Sequence, residues 1–344
     1  MKDNVISNKR SVRCFVSTGH LGINLGNCCR FVFPAILYFL LLSVYSNASF
    51  AQNLDQVIIL TSKSGGSYQA FVDSFAETYS NKEHSGSNVL IKSLPLSDDF
   101  SLDDVLGLEK SLLITVGTKA AQYAESIALN VPVIHAMLPY SSHQKLSPEQ
   151  EACASHTAIY IDQPIKRQLN LAKEIFPELK TYGFLLGEVS SKRYQIENES
   201  FGLSDEKIAS DIIHESRELA WSLRSLSEQA KVFIAINDPL IFNPNNAKWI
   251  LYMAYQEQRP IIGFSMPYVS AGASAAVYST PSQLGRQTAE LIFEQQNKSE
   301  CLFEPQYPRY FNVGVNNAVI QSLSGKLLDE SYLVERLQKL EGSQ

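Results

Sequence analysis

The residues with chemical potential fall at the ends of short apolar runs. Thr61 to Gln69 (TSKSGGSYQ) follows the run VIIL and carries Ser64, Gly65, Gly66, Ser67 and Tyr68. Paired glycines let a ligand approach the backbone. The two hydroxyls, with the first amides of a following helix, make a set suited to a carboxylate. A plain Gly-Ser turn with a helix cap uses the same residues, so both readings stand. The spacing is not that of a phosphate loop, which needs G-x-x-x-x-G-K-[ST]. Gly117-Thr118 follows LLITV, where Thr118 reads as a helix N-cap whose hydroxyl can also meet an anionic group. Asn237-Asp238-Pro239 follows VFIAI. An acid there either pairs with an ammonium through a charge-assisted bond or opens a turn before proline. Ser265 and Met266 follow PIIGF, Glu188 follows TYGFLLG, and Tyr68, Tyr140 and Tyr268 place aromatic faces in loops.

Other chemistries find no support. The six histidines (His20, His84, His135, His143, His156 and His214) form no H-x-x-x-H or H-E-x-x-H pair, so no metal site is expected. His135 lies inside an apolar run and reads as a satisfied core residue. There is no G-x-S-x-G elbow, no protease-like cysteine context and no G-x-G-x-x-G fingerprint, so neither a catalytic residue nor a cofactor is expected. Of five cysteines, Cys14, Cys28 and Cys29 precede the body of the chain, leaving Cys153 and Cys301. Their spacing alone leaves open one disulfide or two unrelated thiols.

The elements that must hold the loops are legible as an alternation. Apolar, β-branched runs occur at Val57–Leu60, Val89–Ile91, Leu112–Val116, Val131–Met137, Ala158–Ile161, Gly183–Leu186, Val232–Ile236, Pro260–Phe264, Ala275–Tyr278 and Tyr310–Val315. Most are continuously apolar, as expected of parallel strands covered on both faces. Helical spacing fills Tyr68–Tyr79, Thr118–Ala128, Ile165–Phe176, Ser216–Leu226, Asn245–Gln258 and Pro281–Gln296. This predicts an α/β doubly wound fold, and ten strands are better divided between two sheets than held in one. The acidic, polar stretch Glu188–Glu206 reads as an interruption of the second half.

Residues 31–46 (FVFPAILYFLLLSVYS) are uncharged, follow basic residues and precede Ser49-Phe50-Ala51. That is the layout of a secretory signal peptide cleaved after Ala51, with an uncleaved anchor as the alternative. Without residues 1–51 the chain has 24 basic and 34 acidic side chains, which disfavours binding to nucleic acid.

Five segments, in order, resemble the periplasmic substrate-binding proteins of ABC transporters with the type I periplasmic-binding fold, in the branch that includes aromatic amino-acid receptors. They are VIILTSKSGGSY (Val57–Tyr68), ITVGTKAAQYA (Ile114–Ala124), VPVIHAMLPY (Val131–Tyr140), RPIIGFSMPYVSAGASAAVYSTPSQLGRQTAELIFE (Arg259–Glu294) and NVGVNNA (Asn312–Ala318). The resemblance implies two parallel-sheet lobes joined by a hinge: residues 53–159 with 280–303, and residues 160–279 with 304–344. That layout puts Cys153 and Cys301 on the crossover side of the first lobe and favours their disulfide. It also implies a small ligand, such as an amino acid, held by Ser64, Ser67, Tyr68, Thr118, Tyr140, Glu188, Asn237, Asp238, Ser265 and Met266. The partner would be an ABC permease, contacted at the membrane from the periplasm. A membrane sensor in place of the permease, or a secreted enzyme on the same scaffold, are the competing readings.

Overall fold

The computed structural model describes residues 54–82, 89–97, 110–127, 131–146, 156–202, 206–296 and 304–342. All lie within the unit spanning residues 49–344. The expected cleavage after Ala51 and the cysteines Cys153 and Cys301 fall outside the described residues. Among those described, no helix is long and apolar enough to cross a membrane.

Two sheets organise the chain. The first is built from β1 (Gln56–Thr61), β2 (Leu90–Pro95), β3 (Ser111–Val116), β4 (Val133–Leu138) and β5 (His156–Tyr160), in the order β2-β1-β3-β4-β5 and parallel throughout. Its connecting helices are α1 (Gly66–Lys82), α2 (Thr118–Ser126) and α3 (Tyr140–Leu146). The continuous apolar runs have the expected cause. Val57 and Ile59 of β1 feed one core with Phe71 and Phe75 of α1, while Ile58 and Leu60 feed the opposite core with Ala120 and Ala124 of α2. Successive strand side chains point to opposite faces, so a strand covered on both sides is apolar at every position.

The second sheet follows α4 (Ile165–Ile175) and contains β6 (Thr181–Leu186), β7 (Lys207–Ile212), β8 (Val232–Ile234), β9 (Ile261–Gly263), β10 (Ala275–Tyr278) and β11 (Asn312–Val315). Its order is β11-β10-β9-β8-β6-β7. Its helices are α5 (Glu188–Glu197), α6 (Leu219–Gln229), α7 (Pro244–Gln256), α8 (Met266–Ala271), α9 (Pro281–Gln296), α10 (Asn317–Ser324) and α11 (Glu330–Gly342). The expectation of parallel strands holds except at one edge, where β11 runs antiparallel to β10. The polar stretch Glu188–Glu206, expected to interrupt the second half, forms α5 and a short 3-10 turn, and the edge strand β7 follows it.

The helix α9 leaves β10 of the second sheet and packs on the first. Its Leu284, Ala289, Leu291 and Ile292 share a core with Val57, Ile59 and Phe71. Gly285 makes this approach possible, because a Cβ there would come within 2.3 Å of the Phe71 carbonyl oxygen. The chain then returns to the second sheet as β11.

Candidate functional site

The strand orders locate the loops where a ligand is expected. In an open parallel sheet, ligands bind outside the carboxyl ends of the strands, where the strand order reverses direction. In the first sheet that point lies between β1 and β3, and in the second between β6 and β8.

At the first switch point the exits of β1 and β3 are tied together. Ser62 Oγ donates to the Val116 carbonyl at 2.9 Å and accepts from the Ala120 amide at 2.9 Å. It thereby caps α2 from a neighbouring loop. Thr118 is not the cap expected from sequence: Gly117 occupies that position at φ 87°, and partly exposed Thr118 is the first helical residue. Gly117 is required twice. Its φ lies in the left-handed region, and a Cβ there would stand 2.8 Å from Ser62 Oγ and 3.0 Å from the Tyr68 ring. Tyr68 therefore lies directly against the β3 exit. Gly65 and Gly66, at φ 71° and 54°, have open space where a Cβ would be, and Ser64 and Ser67 beside them are exposed.

The neighbouring tip belongs to β4. Its register with β5 shifts between Ala136 and Leu138, and Met137 between them adopts φ 52°. A non-glycine residue in that region marks local strain, which concentrates at functional sites. The distortion leads directly into Tyr140. The Tyr140 amide donates to Asp162 Oδ2 at 2.7 Å, and its ring meets Tyr160 edge-on at 5.4 Å between centroids.

At the second switch point the arrangement repeats with different chemistry. A Cβ on Gly187 would fall 2.5 Å from Asp238 Oδ2, so the tips of β6 and β8 also meet across a glycine. Asp238 is buried, and its carboxylate is engaged within the protein. It accepts from Ser190 Oγ at 2.6 Å, from the Ser190 amide at 3.3 Å and from the Leu240 amide at 2.9 Å. Ser190 Oγ in turn accepts from the Gly187 amide at 2.8 Å. In this conformation Asp238 builds the loop and holds the first turn of α5, which is the turn-opening role of the two that the sequence offered it. Asn237 beside it is partly exposed, and Glu188 is exposed and pairs with Lys192 at 3.6 Å. Ser265 precedes α8 without a side-chain cap bond. Met266 lies over β11, where a Cβ on Gly314 would overlap its sulfur at 2.1 Å. Tyr268 packs with Phe242 and Phe264 and donates its hydroxyl to the Phe242 carbonyl; burial pushes that hydroxyl up to about 12.

Sequence reading missed the most connected residue of this region. Arg193 of α5 is buried and bonds Glu197 Oε1 at 2.7 Å, Tyr307 Oη at 3.1 Å, Asp162 Oδ1 at 3.4 Å and the Gln163 carbonyl. Its guanidinium stands 5.1 Å from the Tyr307 ring centroid and 5.8 Å from that of Tyr140. Burial opposes its charge, but the Glu197 and Asp162 carboxylates outweigh that and hold it firmly protonated. Burial also keeps the hydroxyls of Tyr307 and Tyr160 protonated well beyond the usual range. Arg193 thus links the segment after β5, the segment before β11 and the start of α3 at Tyr140. Gln163 extends the link: its Nε2 donates to Ser279 Oγ at 2.8 Å, and Ser279 Oγ donates to the Tyr310 carbonyl at 2.6 Å. Asp162 follows a strand exit and was open to the same reasoning that found Asp238. Arg193 had no such signal, because the buried residues of α5 are Ser190, Ser191 and Arg193, which form no apolar stripe.

The sequence candidates therefore fall in groups: Ser64, Ser67, Tyr68 and Thr118 at the β1–β3 tips, Glu188, Asn237 and Asp238 at the β6–β8 tips, Ser265 and Met266 after β9, and Tyr140 in contact with Arg193. Residues 102–295 match the family described as ABC transporter substrate binding protein. No curated protein matches the chain. Among solved structures, an ABC domain from Streptococcus pneumoniae in complex with L-Trp is similar at 18% identity and a TM-score of 0.53, covering 83% of this chain and 98% of its own. A conserved domain protein from Vibrio cholerae is similar at 18% identity and 0.52, covering 83% and 98%. A ligand-free, open substrate binding protein with adhesive properties from Clostridium difficile is similar at 18% identity and 0.60, covering 80% and 96%. At these identities the likeness is one of fold.

Proposed function

The chain belongs to the ABC transporter substrate binding protein family, a family of binding proteins and not of enzymes, and from that premise we propose that it captures a free amino acid, of the aromatic kind, in the periplasm and hands it to a membrane permease. In this reading the lobes are residues 53–159 with 280–303 and residues 160–279 with 304–344, and the ligand sits between their strand-tip loops. The observation that carries the proposal is that both switch points close across a glycine, Gly117 in one sheet and Gly187 in the other. Such contacts fix the loops before a ligand arrives, which lowers the ordering cost of binding.

The exposed hydroxyls of Ser64 and Ser67, with the N-terminus of the 17-residue helix α1, supply donors for the ligand carboxylate. Tyr68 and Tyr140 supply aromatic faces for its side chain. Asn237, Glu188, Ser265 and Met266 line the opposing loops, and Asp238 shapes them from below. The L-Trp complex of the Streptococcus pneumoniae domain supports the choice of ligand class.

Thermal denaturation against the free amino acids tests this, since a ligand that prefers the native state raises the melting temperature. L-Trp or another aromatic amino acid is expected to do so. Melting unmoved by every amino acid would end the proposal. The task of Asp238 is read from Asp238→Asn, which sets an amide against the Ser190 and Leu240 donors. It is expected to cost about 1–3 kcal/mol of stability and to weaken tryptophan and an analogue lacking the ammonium equally. A loss confined to tryptophan would return Asp238 to direct contact with the ligand.

A further inference from the structure

We propose that Glu125, His135 and His156 form a binding site for a divalent transition-metal ion of the zinc type. Spacing along the chain gave no sign of it, because the separations from Glu125 are 10 and 31 residues. Sheet register assembles the set. His135 of β4 pairs with Thr115 of β3, and Val133, two residues earlier and on the same face, pairs with His156 of β5. Glu125, next to last in α2, reaches that face from above. Its Oε1 lies 3.0 Å from His135 Nε2 and 2.6 Å from His156 Nδ1, and the three donor atoms all lie within 4.8 Å of one another.

Two imidazoles and a carboxylate are a donor set that zinc accepts, with water completing the tetrahedron. The surroundings suit the task. His135 is fully buried, and its other nitrogen, Nδ1, lies 2.7 Å from Thr115 Oγ1. A metal-bound imidazole needs such a partner to fix its ring and tautomer. The other two ligands keep a path to solvent, with side-chain exposures of 20% for Glu125 and 25% for His156. Without an ion, Glu125 accepts from both imidazoles and Thr115 donates to His135 Nδ1. With one, His135 shifts to the Nδ1–H tautomer and donates to Thr115, while its Nε2 lone pair turns to the metal. The site lies roughly 10 Å along α2 from Thr118, at 1.5 Å per residue. It is distinct from the strand-tip loops, so its outcome does not depend on the ligand proposed there.

The test uses the full chain, stripped of metal by a chelator, titrated with zinc chloride by calorimetry and with cobalt chloride by absorption. One ion per chain is expected, with the ligand-field bands of a four-coordinate nitrogen–oxygen site and no thiolate charge transfer. Glu125→Gln and His156→Ala should each lose saturable binding, and Thr115→Val should weaken it about 10- to 100-fold. His214→Ala, on the segment after β7, should bind as the parent does. His156→Ala, at the exposed edge of the set, should keep the metal-free melting temperature, which separates ligand loss from misfolding. The proposal falls if no saturable cobalt spectrum forms, if only thiolate bands appear, or if Glu125→Gln and His156→Ala bind with parental affinity.

Discussion

Replacing Gly117 by alanine isolates the contact on which the first loop cluster depends. Two costs follow from the geometry. At φ 87° and ψ 168° an L-residue enters a region held essentially by glycine, at a cost of roughly 1–3 kcal/mol. The new methyl would also stand 2.8 Å from Ser62 Oγ and 3.0 Å from the Tyr68 ring, and overpacking of that kind costs roughly 1–3 kcal/mol. Ser62 cannot retreat freely, because its hydroxyl bonds both Val116 and Ala120. The expected loss is therefore about 2–6 kcal/mol. Gly65→Ala is the matched control: its φ is 71°, but nothing lies within 4 Å of the added carbon, so only the strain of about 1–2 kcal/mol applies. Urea unfolding of the three proteins measures the difference, with an unchanged m-value required for the comparison. Ligand affinity measured by calorimetry should fall at least about tenfold in Gly117→Ala, equivalent to about 1.4 kcal/mol, because Tyr68 and Ser62 are displaced together. If Gly117→Ala is no less stable than Gly65→Ala, the packed contact between the β1 and β3 exits does not exist as described.

Two further outcomes follow from the buried charges. Arg193→Met strands the Glu197 and Asp162 carboxylates and should cost about 3–5 kcal/mol, with part recovered when Glu197→Gln is added; a loss below about 1 kcal/mol in urea unfolding, the ceiling for an exposed pair, would remove Arg193 from its central place. His143 is held neutral, lowered to about 4 by burial first and then by the adjacent His135 imidazole, and Tyr160 lies at hydrogen-bond distance, 3.2 Å from its Nδ1. Its folded value lies below the unfolded one near 6.5, so the unfolded chain takes up the proton first and stability falls as pH drops from about 6.5 towards 4. The loss attributable to His143 should reach about 2–3 kcal/mol by pH 4.5, and His143→Gln should flatten that part of the profile; parallel profiles would refute it.

How much of this was legible in the sequence depended on whether burial leaves a period. The strands β1, β3 and β6 were readable because each is apolar on both faces, and α4 because Ile165, Leu169, Ala172 and Ile175 recur at helical spacing. The edge strand β7 (KIASDI) was not, since none of its residues is buried and Lys207 and Asp211 break up its apolar residues. The loop candidates were found by position alone, as residues following a strand. That rule identifies where a side chain starts but not which group it reaches, and Asp238 is the case in point. Its place after β8 was correct, yet the turn of chain at Leu240 and the neighbouring Ser190 claim its carboxylate first.

The same limit explains why the densest polar sites were invisible. Arg193 and the Glu125–His135–His156 set each draw on segments far apart in the chain, and each is assembled by strand order. A doubly wound sheet places sequence-distant strands side by side, as β4 and β5 stand across nine residues outside the described structure and β6 stands beside β8. Side chains that meet across such neighbours are under no requirement to keep a motif spacing, only to share a face. Buried polar groups must also find partners or leave the core. A lone polar residue inside an apolar run, such as His135 in VIHAML, therefore signals a second polar residue on an adjacent strand or helix, here Thr115 and Glu125. The inference runs from the cost of an unpaired donor to the existence of its partner, and the topology then says where to look.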